Sequence, residues 1–220
     1  MSYFYKKDYM KIKKGKKKFT FFMEINMNDS FTRILWDRVA LRYFKVIKQT
    51  TEDGYKKLEV KAKTIESLKS YLKKKDLEYD LVLKLMYNIA TQIFLLKQID
   101  KGITHFSLDD ILIIDERKFV FVNSAKITKI KFKKLVLNKI IKKNKFISPE
   151  LEDVDEIPSE IHYKASIFSL ALISMYALTG NYVTFENFKE QTDFMYATKL
   201  YWCLERCLKM DPDDRYFYII

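Results

Sequence analysis

The chain has 220 residues, 48% hydrophobic and 15% aromatic, with 4 glycines and 3 prolines where average usage would give about 15 and 11. This composition excludes a linker or disordered tail and leaves too few glycines for several phosphate-cradling loops. Lys and Arg number 41 against 29 Asp and Glu, a formal net charge of +12, which favours anionic partners: nucleic acid, acidic protein surfaces or anionic lipid. The plainer alternative is a solvated, lysine-decorated surface.

In chain order, residues 6–18 carry eight lysines and one acid, Asp8, and read as a solvated, frayed start or an anionic contact. Phe19 to Met27 reads as an aromatic-rich strand. Asp29 or Ser30 can cap a helix from Phe31 to about Tyr43, with Phe31, Ile34, Leu35 and Val39 at helical spacing. Phe44–Gln49 and Tyr55–Ala62 read as strands around a Glu52-Asp53-Gly54 turn. The spacing of Ile65, Leu68, Tyr71 and Leu72 predicts a short helix from Thr64. Leu81, Leu85, Ile89, Ile93 and Leu96 predict a long one over Leu77–Ile99, ended by Gly102.

Ile111–Ile114 and Lys118–Val122 suggest a small hairpin around Asp115-Glu116-Arg117. Lys126 to Lys145, with nine lysines and no acid, fits no regular element and reads as a long loop. Helices are expected over His162–Leu178 and Phe185–Leu208.

Cys203 and Cys207 share a helix face and suit buried thiols better than a disulfide, and neither His105 nor His162 stands near them to complete a zinc site. No secretory signal opens the chain, and the apolar run Ala165–Thr179 is too short to span a bilayer, so a soluble protein of a reducing intracellular compartment is expected.

Several anchors resemble a protein kinase. Ile103-Thr104-His105-Phe106-Ser107-Leu108 stands where kinases carry the catalytic-loop His-Arg-Asp. Phe121-Val122-Asn123-Ser124-Ala125 stands in place of a strand and Asp-Phe-Gly, and Ser148-Pro149-Glu150 in place of Ala-Pro-Glu. Tyr163–Gly180 is similar to the buried central helix of the kinase C-lobe, and Leu204–Arg215 to the end of that fold. The chain resembles the divergent kinase-like proteins of large DNA viruses with AT-rich genomes. The resemblance implies an α+β, two-lobed fold, with a reduced N-lobe over residues 1–62 and a mainly helical C-lobe over 63–220. It also implies a structural Glu150–Arg215 pair and a structural His105.

Phosphoryl transfer is mostly positioning plus electrostatics, so each part can be checked. No Gly-x-Gly-x-x-Gly loop precedes the first strand, and no lysine lies within Phe19–Met27. The only acidic candidate on the following helix is Asp37. The base position is Ser107, the metal position is Asn123 and the brace position on the central helix is Ser166. Asp109 or Asp110 would have to compensate as base or metal ligand, with Asn123 as the candidate at the cofactor. These departures favour a pseudokinase with no cofactor, which binds an acidic protein partner through Lys129, Lys131, Lys133, Lys134, Lys142 and Lys143, together with the 6–18 run. The alternatives are a divergent serine/threonine kinase using ATP and Mg²⁺, and a basic nucleic-acid-binding protein, which Phe132 and Phe146 among the lysines would serve by stacking.

Overall fold

Most of the first sixty residues form an antiparallel sheet whose inner strands alternate buried with exposed or half-buried side chains, the period expected of a sheet with one face on a core. In the computed structural model, which describes residues 2–184 and 187–217, the strands are β1 (Tyr3–Lys7), β2 (Met10–Lys14), β3 (Thr20–Asn26), β4 (Lys45–Glu52) and β5 (Tyr55–Lys61), in the spatial order β1-β2-β3-β5-β4. Residues 6–18 are therefore not a frayed start. They supply most of a hairpin, because Ile12, buried with Tyr5 and Met10, anchors the lysine-rich strands on the core. The Asp53-Gly54 turn has both residues at positive φ, 51° and 76°, the twist that a two-residue hairpin needs.

Between β3 and β4 the chain is helical but not regular. Asp29 caps α1 (Ser30–Ile34), its carboxylate accepting from the Thr32 amide at 2.7 Å. The helix then widens into a π-type turn over Leu35–Val39 and tightens to a 3₁₀ turn over Ala40–Tyr43. The irregularity turns Leu35, Trp36, Val39 and Ala40 all into the core.

The remainder is mixed. Residues 65–67 form a strand, β6 (Ile65–Ser67), before α2 (Leu68–Leu72), so the helix predicted from Thr64 starts later, at the Ser67 cap. The long helix α3 (Tyr79–Lys97) buries Leu85, Ile89, Ile93 and Leu96. Gly102 does not end it. That glycine lies in β7 (Lys101–Ile103), where a Cβ would stand 2.5 Å from the Leu135 side chain. β8 (Ile111–Ile114) and β9 (Lys118–Phe121) form the predicted hairpin, and β8 also pairs with β6. The free edge of β9 is held by α3: Asn88 Oδ1 accepts from the Phe119 amide, and buried Gln92 bonds both the Phe119 carbonyl and the Phe121 amide.

The lysine-rich segment 126–145 is not one long loop. It contains β10 (Ile127–Lys131) and β11 (Lys134–Leu137), the middle strands of a four-stranded sheet, β12-β11-β10-β7, in which β12 is Ser159–His162. Leu135, Leu137, Ile147, Leu151 and Ile161 form a second small core beneath it.

After α4 (Pro149–Glu152), His162 ends β12 rather than starting a helix. The central helix α5 (Ala165–Thr179) begins three residues later and is buried on nearly all sides. The predicted final helix has its first residue, Phe185, outside the described residues. The rest of it is α6 (Phe188–Thr192), a 3₁₀ turn over Asp193–Met195 and α7 (Lys199–Cys207), whose Thr198 cap restarts the helix. Cys203 and Cys207 are buried thiols, not a disulfide. All strand pairs are antiparallel, so the protein is α+β, and one continuous core runs from β1 to α7.

Candidate functional site

A cleft of about 1060 Å³ opens where the first sheet and α1 meet the lysine-rich hairpin. Its walls come from Lys7 and Tyr9, from Thr32, from the 104–107 and 123–126 segments, and from residues 136–144. Two hydrogen bonds tie the first sheet and α1 to the rest of the chain here. The Tyr5 hydroxyl donates to the Asp109 carbonyl at 2.9 Å, and the Thr32 and Ser124 hydroxyls lie 2.6 Å apart. Burial raises the Tyr5 phenol well above its ordinary value, so it stays a neutral donor.

Asp110 lies beneath the lining residues Ser107, Asn123 and Lys126 and is 2% exposed. It closes a capping box on the 3₁₀ turn Leu108–Asp110, its Oδ2 accepting from both the amide and the hydroxyl of Ser107 at 2.7 Å. The same oxygen accepts from Lys126 Nζ at 2.6 Å, and Oδ1 accepts from the Asn123 amide nitrogen at 2.7 Å. Asn123 also accepts from the Ala125 backbone, closing a tight turn. Burial lowers the Lys126 pKa, while Asp110 acts against that loss of charge. Asp109 points elsewhere, pairing with Lys69 at 3.1 Å and Lys7 at 3.7 Å.

His105 is buried beside this cluster, its Nδ1 3.0 Å from the Thr104 hydroxyl. Desolvation, with Lys126 nearby, pushes it down to about 3, so it is a neutral ring in the core. The loop that carries it is braced from the central helix by Ser169, whose hydroxyl accepts from the Phe106 amide at 2.8 Å. Ser166, which stands at the brace position of the resemblance and is one of its departures, donates to the Tyr163 carbonyl within its own first turn. The serine one turn further along α5 faces the loop.

Glu150 and Arg215 form a bidentate pair at 2.6 and 2.9 Å, well away from the cleft floor. The Arg215 side chain is fully buried, and its remaining donors reach the Lys209 and Met210 carbonyls. Asp37 does have a lysine partner, but from β5: it pairs with the buried Lys56.

The six lysines expected to meet a partner divide. Lys142 and Lys143 line the cleft together with Lys7 of the 6–18 run, so the two lysine-rich stretches meet there. Lys129 and Lys131 are exposed on β10, Lys133 lies 3.5 Å from Asp213, and Lys134 lies 3.9 Å from Glu160, all outside the cleft lining.

Among the described residues, no three His, Cys, Asp or Glu side chains are grouped to hold a metal ion, and no helix is long and apolar enough to cross a membrane. The chain matches no protein-family model, and no curated protein matches it in sequence.

Proposed function

We propose that this chain is a protein-kinase-like binding protein that performs no phosphotransfer and takes an acidic partner into its basic cleft. The two-lobed kinase reading draws support from the order of the elements. A strand-rich part with one helical segment is followed by a hairpin, a Ser-Pro-Glu turn, a buried central helix and a closing arginine. The Glu150–Arg215 pair and the Ser169 brace add to it.

The observation that carries the binding reading is the burial of Asp110 under four donors. A general base needs a free lone pair aimed at the acceptor hydroxyl, and Mg²⁺ needs open carboxylate oxygens. Oδ2 of Asp110 takes three donors, two from Ser107 and one from Lys126, and Oδ1 takes the Asn123 side-chain amide, so the carboxylate lies beneath these three residues and is only 2% exposed. A metal ion approaching Oδ2 would have to displace an ammonium at 2.6 Å. Asp109 is engaged by two lysines. What the cleft does offer is a surplus of positive charge: Lys7, Lys126, Lys139, Lys142 and Lys143 line it against the acids Asp8 and Asp29.

The experiment is a thermal shift with and without Mg-ATP, paired with radiolabel transfer. No rise in Tm and no labelling are expected. A rise, with labelling lost in Asp110→Ala, would establish the serine/threonine kinase instead. Association with an acidic partner should weaken steeply with salt and be lost in Lys142→Glu/Lys143→Glu.

A further inference from the structure

The first sheet has a second face that the cleft does not use. Its register runs one cross-strand row through all five strands: Tyr3 opposite Lys13, Lys13 opposite Phe22, Phe22 opposite Glu59, and Glu59 opposite Lys48. The neighbouring residues Ile12, Met23 and Leu58 are buried in the core, so this row points the other way. Tyr3 and Phe22 are each 37% exposed, although Phe22 stands on the middle strand of the sheet. Lys13 lies between them, its ammonium 5.4 Å from the Tyr3 ring centre.

The face is a trough of about 790 Å³, to which Lys16, Lys17 and Lys48 also contribute. Lys11 and Lys57 on the same face are paired with Glu24 and Glu52. Lys13, Lys16, Lys17 and Lys48 form no ion pair among the described residues, against one lining acid without an ion pair there, Glu59. The trough therefore keeps a surplus of ammonium groups around two part-exposed aromatic rings, Tyr3, with Lys11 and Lys13 over it, and Phe22.

We propose that this trough binds single-stranded nucleic acid, with bases stacked on Tyr3 and Phe22 and phosphates running along Lys13, Lys16, Lys17 and Lys48. The rings decide the class of partner. An acidic peptide would use the lysines and leave the rings idle, and a duplex hides its base faces in its own stack. A single strand presents a phosphate and a free π-face at every nucleotide, so it uses both. Tyr3 and Phe22 stand two strands apart, about 9–10 Å, which leaves space for two splayed bases with a lysine between them. This inference uses a different face from the cleft and does not depend on the kinase-like reading.

The test is fluorescence anisotropy on the full chain, with labelled oligothymidylate of about twelve nucleotides, within the site sizes of such surfaces. The same sequence as a duplex is the comparison, and polyglutamate is the competitor. The single strand should bind more tightly than the duplex. Tyr3→Ala and Phe22→Thr should each weaken it about tenfold, and Lys13→Ala should reduce the salt slope by about one. Both ring substitutions lie on exposed positions, and an unchanged melting curve will show that each variant is folded. No binding, equal binding of the duplex, indifference to both ring substitutions, or equal displacement by polyglutamate would each overturn the proposal. The last would mark the trough as a surface for acidic proteins.

Discussion

Arg215 and Lys126 are both cations held inside the protein by a carboxylate, yet their donors are used differently. Arg215 presents a planar fork, and every bond it makes is to Glu150 or to the Lys209 and Met210 carbonyls, so it ties α4 to the end of the chain. Lys126 is a flexible ammonium bonded to Asp110 and, at 3.3 Å, to the Ser107 hydroxyl, in the wall of the cleft. The first pair is a rivet between distant segments, its guanidinium fully buried. The second closes a local polar cluster in which Asp110 keeps three other donors. A buried ion pair is thus a weak guide to role until its surroundings are counted.

The most severe test of this contrast is removal of each cation in turn. Arg215→Met should cost about 3–5 kcal/mol, since it strands Glu150 and two carbonyls together. Lys126→Met should cost about 2 kcal/mol, because Ser107 and Asn123 still satisfy the carboxylate. Urea unfolding of both variants gives the comparison, and equal losses would break it.

A smaller effect concerns His105, the neutral ring next to Lys126. Its folded pKa of about 3 lies below the unfolded value of 6.5. Between those values the unfolded chain binds the proton and the folded one does not. Stability from this group is therefore complete above about pH 6.5 and falls as the pH drops toward 3, by at most about 1.4 kcal/mol per pH unit. His162 is shifted in the same direction, chiefly by burial. The diagnostic is hence the difference between the wild type and His105→Gln, whose acid slope should be shallower in denaturant melts at pH 7 and pH 5.

The smallest effect touches neither pair. Phe132 and Lys133 turn the β10–β11 hairpin with φ of 46° and 65°, conformations that cost a side-chain-bearing residue about 1–2 kcal/mol each. Phe132→Asn with Lys133→Gly should raise stability by about 1 kcal/mol and leave the difference between Arg215→Met and Lys126→Met unchanged.

That turn also explains why the lysine-rich hairpin was illegible in the sequence. Asp53-Gly54 announces its turn by residue type, whereas Phe132-Lys133 is held at positive φ by strand pairing on both sides. The long helix and the central helix were legible because their apolar residues recur at helical spacing, and β3 and the two small hairpins because β-branched and aromatic residues cluster there. The Lys16-Lys17-Lys18 run concealed the first hairpin, since only Tyr5, Met10 and Ile12 mark its buried face.

At the site, Asp109 and Asp110 were visible as a pair, but nothing in their order says which one is buried. The capping box on Ser107 decides that, and its acid sits at the third position rather than in the usual Glu or Gln. The Ser169 brace was missed because α5 holds several serines at buried positions, and only the angle at which the helix meets the loop selects one.

The ladder between β11 and β12 joins residues 134–137 to 159–162 across the irregular stretch that contains Lys139, Lys142, Lys143 and Lys145. The Glu150–Arg215 pair lies wholly on the far side of that stretch. Limited proteolysis after one of these lysines should therefore sever the covalent thread but leave β11 hydrogen-bonded to β12 and α3 packed against α5, so that the two fragments co-elute as a noncovalent heterodimer, each supplying the other with the strand or helix that completes its core.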